Sequence, residues 1–307
     1  MANNPVRLQA RKVSYEYPDG TAALGQINLS IHDGEFIGLL GANGSGKTTL
    51  LKVLDGLIRD FKGAVTLDGS NIKALTAKEI YGKMGMVFQN PDDQLFASTV
   101  FEDVAFGPIN MGFPDREVKD RVTRAMADVE MEGFAKKSIH HLSFGQKKRI
   151  CIAGLLAMGH QVLLLDEPTA GLDPMGEYKM MDLLTKLNQE CRVTIVMATH
   201  SVDLVPIFLD RLYILVQGRI FRSGTPEEVL TAPEEMTQVK LRLPQIAELI
   251  YRLKHEDRLP FKKIPLTIGE ARRELLRLLE DKGQDTGQKS FEFNENPPQP
   301  PFFKGGS

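Results

Sequence analysis

The chain has 307 residues, 42% of them hydrophobic and 25% charged, which fits one large soluble domain with room for a small second one. Its 38 Lys and Arg against 40 Asp and Glu leave a formal charge of −2, so there is no electrostatic case for a nucleic-acid binder. No segment reaches the roughly 18 apolar residues of a membrane span, and the amino terminus, Met-Ala-Asn-Asn-Pro-Val-Arg, has no apolar signal core. The expectation is a chain that neither crosses a membrane nor leaves the cytoplasm by itself. Cys151 and Cys191 sit in apolar or strand-like runs and read as reduced core residues of a cytosolic protein, not as a metal or redox pair.

Arg7 to Tyr17 has the β-branched and aromatic content of a strand, Pro18-Asp19-Gly20 a turn, and Ala22 to Ile31 a returning strand. Tyr17 precedes the turn, where its face can either stack on a purine ring or pack a sheet edge. Glu35 to Leu40 ends in Phe-Ile-Gly-Leu-Leu, a strand buried on both faces. The next nine residues, Gly41, Ala42, Asn43, Gly44, Ser45, Gly46, Lys47, Thr48 and Thr49, match the phosphate-binding pattern Gly-x-x-x-x-Gly-Lys-Thr without a gap. Glycines there let successive N–H groups turn toward phosphate oxygens. Behind them Leu50, Leu51, Val53, Leu54, Leu57 and Ile58 fall at helical spacing, so a positive helix end faces the same phosphates. Lys47 is placed to neutralise the β and γ groups of a nucleoside triphosphate and Thr48 to ligate Mg²⁺.

Gly63 to Asp68 and Met84 to Phe88 are further strands. Gln89 leaves the second at Asn90-Pro91, placed either to reach a metal or attacking water at the carboxyl edge of a sheet or simply to make a turn. From about Pro91 to His160 the pattern is mostly helical, with Val118, Val122, Met126 and Val129 at helical spacing. Within it Leu142-Ser143-Phe144-Gly145-Gln146 opens a helix that Ser143 can cap, making a second phosphate site from the exposed helix end. Val162 to Leu165 is a buried strand ending in two acids, of which Asp166 reads as the Mg²⁺ ligand and Glu167 as the group that polarises attacking water. Pro168 to Pro174 reads as a loop rather than a helix start. Val193 to Ala198 is a strand ending at Thr199-His200, so Gln89, Glu167 and His200 share one sheet edge. Leu212 to Val216 is another strand, and Thr225-Pro226-Glu227-Glu228 starts a helix. Beyond Thr231 lie short helices: Ile246, Leu249, Ile250 and Leu253 make one apolar face, and Thr267 with Glu270 caps a second helix bearing Leu275 and Leu278. Gly283 to Ser307, rich in Gly, Gln, Asn and Pro, is expected to be disordered.

Taken together these motifs resemble the ATP-binding-cassette (ABC) ATPases from roughly Val6 to Leu230. Ser143-Phe144-Gly145-Gln146 resembles the family's signature loop, with Phe144 where many members have glycine. Tyr17 stands at the position of its adenine-stacking aromatic, Gln89 at its Q-loop glutamine, Asp173 at its D-loop aspartate and His200 at its switch histidine. The resemblance implies an α/β P-loop NTPase (RecA-like) core with an antiparallel β subdomain and an inserted α-helical subdomain at about 90–160, all within 1–232. A small C-terminal helical domain at 233–282 and a tail at 283–307 follow. Gln89 to Phe96 and Thr99 to Pro108 resemble the energy-coupling-factor branch, in particular the ATPases of its cobalt/nickel importers, and Leu243-Pro244 and Leu259-Pro260 are similar to that branch's C-terminal domain.

The implied assembly has two subunits, either identical or paralogous, closing head to tail on two ATP molecules with Mg²⁺ bound by Thr48, Gln89 and Asp166. Ser143 and Gly145 then arrive from the partner, and Gln146 and Asp173 are also counted among the nucleotide-site residues. A transmembrane coupling subunit, received in a cleft formed by Asn90 to Phe101, and a substrate-binding membrane subunit hold it at the cytoplasmic face of the membrane. Asp92 and Asp93 are candidates for pairing with a basic helix of the coupling subunit, or solvated turn acids. The alternatives are an energy-coupling-factor ATPase for vitamin uptake and a non-transport ABC ATPase acting on DNA or ribosomes. A single cassette without sustained heptads or basic excess disfavours the latter. A GTP-dependent switch is disfavoured by the lack of an Asn-Lys-x-Asp motif.

Overall fold

The computed structural model describes residues 4–231 and 233–286. In chain order its first elements are β1 (Val6–Glu16), β2 (Ala22–His32), β3 (Phe36–Leu40), α1 (Lys47–Leu54), β4 (Lys62–Leu67), β5 (Ser70–Asn71), α2 (Ala77–Tyr81) and β6 (Met84–Val87). Three helices follow, α3 (Val100–Asn110), α4 (Asp115–Asp128) and α5 (Phe144–Met158), then β7 (Val162–Asp166), α6 (Pro174–Cys191), β8 (Thr194–Thr199), α7 (Val205–Phe208), β9 (Arg211–Val216), β10 (Arg219–Gly224), α8 (Pro226–Val229) and α9 (Pro233–Gln238). The last two are α10 (Gln245–His255) and α11 (Ile268–Thr286).

Two sheets carry the first unit. One is antiparallel in the order β2-β1-β4-β5; the other runs β10-β9-β3-β8-β7-β6, with β9, β3, β8, β7 and β6 parallel and β10 antiparallel at the edge. All residues of β3, β6, β7 and β8 are buried, as continuous apolar runs require when both faces of a parallel sheet are covered. Alternate residues explain the layering. Ile37 and Leu39, Val162 and Leu164, Val196 and Ala198, and Tyr213 and Leu215 share a core with Leu50, Leu51, Val53 and Leu54 of α1. The same core takes in Leu8, Val13, Ile27, Ile31 and Val65 of the antiparallel sheet, so α1 is sandwiched between the two sheets. Burying those apolar side chains fixes the helix whose amino end carries the phosphate-binding loop. The chain is α/β with a P-loop NTPase arrangement, and α3, α4 and α5 pack on one another between β6 and β7.

Several local expectations change. Pro168 to Pro174 is not wholly loop: Asp173 caps α6 by accepting from Gly176 N at 2.6 Å, and Pro174 is the first helical residue, where a missing N–H costs nothing. Cys151 is buried but Cys191 is exposed, because it closes α6 rather than lying in the strand that follows. By compactness the first unit is Met1–Pro244, and Met236, Val239, Leu241 and Leu243 near its end are buried.

The second unit, Gln245–Ser307, has its own small core of Ile250, Phe261, Ala271 and Leu278, with Ile246, Leu253 and Leu259 against it. Leu249 and Leu275, grouped with the apolar faces by spacing, are 51% and 37% exposed. Of the tail at 283–307, α11 extends through Thr286, and residues 287–307 lie outside the described residues.

Two buried titratable groups flank this scaffold. Asp55, just past α1, is 3% exposed, its Oδ1 has no partner, and burial pushes its carboxyl up to about 7. His160, before β7, donates Nε2–H to Tyr81 O at 2.6 Å and is pushed down to about 4 by burial. Their linkage has opposite signs. Asp55, raised when folded, contributes stability that is present below about pH 4 and lost as pH rises through about 7, whereas the His160 contribution is lost as pH falls below about 6.5 toward 4. The Asp55→Asn variant isolates the first. Its thermal stability relative to the parent protein should climb between pH 4 and 8, by about 4 kcal/mol at most. A difference that stays flat across that range in paired melting curves would show that Asp55 titrates as an ordinary surface carboxyl.

Candidate nucleotide-binding and hydrolytic site

The loop between β3 and α1 turns on Gly46, which caps the helix in the left-handed region at φ 102°. A Cβ there would stand 2.8 Å from the Ala23 carbonyl oxygen, so the position admits only glycine without rearrangement. Ser45 N donates to Ala42 O at 3.1 Å, and Gly218 N, in the turn between β9 and β10, donates to Ser45 O at 2.9 Å, bracing the loop from outside. The first-turn N–H groups of α1 have no preceding helical carbonyl to bond, which makes this end an anion site.

Lys47 is 6% exposed, and its ammonium folds over the loop to donate to Gly41 O at 2.7 Å and Ala42 O at 3.2 Å, with Glu167 Oε1 3.9 Å away. Burial lowers its pKa, and the negative charges of Glu167 and Asp166 oppose that shift. Thr48 Oγ1 donates to Asp166 Oδ2 at 2.8 Å, across from the end of β7. Asp166 is 4% exposed; burial raises its pKa, while the Thr48 bond and the charge of Lys47 pull the other way. Its Oδ1 is buried without a partner, as is Ser45 Oγ. A carboxylate oxygen left bare beside a hydroxyl suits a hard divalent cation that prefers oxygen ligands. The residues present therefore fit Mg²⁺.

Glu167 is 9% exposed and adopts φ 48°, a left-handed conformation that costs about 1–2 kcal/mol for a residue other than glycine. Its carboxylate accepts from Gln89 Nε2 at 3.2 Å and from His200 Nδ1 at 3.2 Å. Gln89 follows β6, Glu167 follows β7 and His200 follows β8, so parallel pairing brings the three strand ends to one place. Asp173 is held in its capping role beyond this turn. Tyr17 sets its hydroxyl 2.8 Å from Thr49 Oγ1 and its ring edge-to-face on Tyr15 at 4.9 Å, which ties the antiparallel sheet to the phosphate loop. Asn43 stays exposed at the loop tip.

Ser143, Gly145 and Gln146 sit at the other end of the inserted helices. Ser143 Oγ accepts from Gln146 N at 3.3 Å and Gln146 Oε1 accepts from Ser143 N at 2.9 Å, a reciprocal capping box at the exposed start of α5. No hydrogen bond among the described residues joins them to the phosphate loop of their own chain. Asp92 has a partner within the chain, as Lys147 Nζ donates to its Oδ1 at 2.6 Å, while Asp93 accepts from Asn90 Nδ2 at 3.2 Å. Next to this turn Phe96 and Phe106 are 66% and 50% exposed and pack edge-to-face at 4.7 Å, with Ile109 59% exposed on the same helix as Phe106.

Lys148 escapes sequence reasoning. It stands in the basic run Lys147-Lys148-Arg149, yet it is fully buried and donates to Glu167 O and Ala170 O, each at 2.8 Å. Burial lowers its pKa to about 8 despite the attraction of Glu167. Hydrogen bonds from a charged donor contribute about 1.5–3 kcal/mol each, enough to offset the strained backbone at Glu167.

A phosphate loop, a paired acid at the adjoining strand end and a separately capped helix define an ABC-type P-loop nucleotide-binding protein. The comparisons carry this further. Residues 24–170 match the family described as ABC transporter. A putative ABC transporter ATP-binding protein of Geobacter sulfurreducens is 69% identical over 267 residues, 87% of this chain and 96% of that protein. The energy-coupling factor transporter ATP-binding protein EcfA of Methanocaldococcus jannaschii is 48% identical over 277 residues, 90% of this chain and 99% of that one. The solved structure of cbiO1 from Clostridium perfringens, described as part of the ABC transporter complex cbiONQ, is 41% identical with a TM-score of 0.71, covering 80% of this chain and 99% of that one. The chain belongs to the ATP-binding subunits of ABC transporters, in their energy-coupling-factor branch. It is an ATPase, and among the described residues no helix is long and apolar enough to cross a membrane.

The steric demand at the loop gives a direct test. Gly46→Ala should lower thermal stability by about 1–2 kcal/mol and weaken ATP binding by about tenfold or more, because the clash with Ala23 O tilts the first turn of α1 away from the phosphates. Equilibrium titration with ATP alongside a melting curve measures both, and wild-type affinity in a folded variant would exclude the strained loop as the phosphate cradle.

Proposed function

We propose that this chain hydrolyses ATP to power uptake of a transition-metal ion, cobalt or nickel, through membrane partners of an energy-coupling-factor importer. The site roles belong to this reading. Lys47 and the amides of Gly41 to Thr49 hold the β and γ phosphates, and Tyr17 stacks on the adenine. Thr48, Asp166 and Gln89 would hold Mg²⁺, which supplies charge neutralisation at the transferring phosphoryl group. Glu167 orients the attacking water and takes its proton, and His200, hydrogen-bonded to the same carboxylate, positions it and senses the γ-phosphate.

The observation that carries the hydrolytic assignment is the convergence of Lys47, Thr48, Asp166, Glu167, Gln89 and His200 at one sheet edge, each within hydrogen-bond or ion-pair distance of another. Lys47 also neutralises the transition state as charge develops on the phosphoryl oxygens. The capped start of α5 presents Ser143, Gly145 and Gln146 away from the phosphate loop of the same chain. We therefore assign them to the ATP of a second subunit, an identical or paralogous copy closing head to tail, with Asp173 at the junction. ATP binding drives closure and hydrolysis releases it. The exposed pair Phe96 and Phe106, beside the turn at Asn90 to Phe101, suits an apolar cytoplasmic helix of a transmembrane coupling subunit. In this reading the chain sits at the cytoplasmic face of the membrane, with a further membrane subunit binding the substrate.

The metal-ion reading rests on the likeness of Gln89 to Phe96 and Thr99 to Pro108 to cobalt/nickel importer ATPases. The name of the Methanocaldococcus relative refers to an energy-coupling factor transporter without naming a substrate, and vitamin uptake stands as the second reading. Uptake of labelled cobalt, nickel and vitamins by cells carrying the chain with its co-purifying membrane proteins decides between them.

For the chemistry, Glu167→Gln should bind ATP as tightly as the parent protein, accumulate as an ATP-bound dimer in size-exclusion chromatography and lose turnover by about a hundredfold or more. Turnover within a factor of a few of the parent would remove Glu167 from the mechanism.

A further inference from the structure

We propose that Lys148 is a positioning residue for hydrolysis: its ammonium clamps the carbonyls of Glu167 and Ala170 and so sets where the Glu167 carboxylate stands. The inference rests on the reading of Glu167 as the group that orients water.

Glu167 to Ala170 is a tight turn at the end of β7. Ala170 N donates to Glu167 O at 3.1 Å, and Leu172 N donates to Thr169 O at 3.2 Å. Lys148 Nζ adds a bond of 2.8 Å to each of the two carbonyls at the ends of that turn, closing it from behind. The turn starts from the left-handed backbone of Glu167, at φ 48°, which a side-chain-bearing residue leaves readily unless neighbours hold it. In front, the carboxylate is held by Gln89 and His200, and both of those residues are exposed. Lys148 is wholly buried and rigid by comparison.

The signature residues reinforce the clamp. The Lys148 ammonium lies 5.1 Å from the centroid of the Phe144 ring, within reach of a cation–π contact. That ring packs on Gly171, where φ is +78° and a Cβ would stand 3.0 Å from Phe144 Cε1. Phenylalanine at this position, unlike the glycine common in the family, gives the lysine an aromatic wall and gives the turn a surface to lie on. One helix, α5, thus offers its capped end outward while holding the Glu167 turn with its second turn. All of the hydrogen bonds of Lys148 go to main chain, so it acts through Glu167 and not on the phosphates.

Lys148→Met keeps the length and apolar stem and removes the donors. In the full chain it should lower kcat by about tenfold or more while the KM for ATP and the equilibrium ATP affinity stay within about twofold. Lys148→Gln, which keeps an N–H donor, should fall between Met and the parent protein. Both substitutions are repeated in a Glu167→Gln background, where the residual turnover should drop by less than about twofold, since the group being positioned is gone. Parent-like kcat in Lys148→Met overturns the proposal, as does an equal fold-loss in the two backgrounds. If the methionine variant does not fold, the same cycle run with Lys148→Gln decides in the same way. Failure of the Glu167 assignment is separately visible, as parent-like turnover in Glu167→Gln alone.

Discussion

An ammonium buried beside two carboxylates is the constraint to which the rest of this structure answers. Lys47, Asp166 and Glu167 are each less than a tenth exposed, and charges removed from water persist only when other charges and hydrogen bonds replace the solvent. The chain meets that requirement with main-chain carbonyls at Gly41 and Ala42, the Thr48 hydroxyl, and the amide and imidazole of Gln89 and His200. Two buried oxygens remain without a partner, Asp166 Oδ1 and Ser45 Oγ. The same desolvation that makes the cluster costly strengthens every electrostatic interaction within it, as phosphoryl transfer requires.

That cluster is held by hydrophobic burial remote from it. The leucines of α1 anchor the phosphate loop between two sheets, while β6, β7 and β8 lie in register so that their ends deliver an amide, two acids and an imidazole together. The inserted helices are tied to the same place by a different device. The buried ammonium of Lys148 reaches from α5 to the Glu167 turn, and the ion pair of Lys147 with Asp92 reaches from α5 to the segment after Gln89. A movement of α5 therefore bears on both sides of the Glu167 carboxylate.

For an ATPase of an energy-coupling-factor transporter this arrangement links three surfaces through one helical insert. The start of α5 is tied to the Glu167 turn by Lys148, and α5 packs on α3, which carries Phe106. In the proposed function these are the surfaces for a second subunit's nucleotide, a membrane partner and water activation, and a shift of α5 would couple them. The C-terminal unit carries its own core and exposes Leu249, Ile268 and Leu279, a surface distinct in chain position from the three.

What the amino-acid sequence determined by itself was everything that depends on neighbours in the chain. The phosphate loop, the apolar strands, the caps at Ser143 and Thr225 and the acid pair after β7 all follow from local spacing and backbone chemistry, and the family followed from their combination. Where the local signal was ambiguous it misled: Asp173-Pro174 is a helix start as well as a loop end, and Cys191 belongs to the helix before a strand rather than to the strand. Only the tertiary structure decided which polar groups lose their water. Lys148 and Lys147 are adjacent in a basic run, yet one is buried under Glu167 and the other reaches Asp92, because a helix aims successive side chains about 100° apart and the packing of α5 chooses which direction points inward. Burial, and with it the lowered pKa of Lys148 and the left-handed turn at Glu167, is a property of contacts between residues far apart in the chain, which no local pattern records.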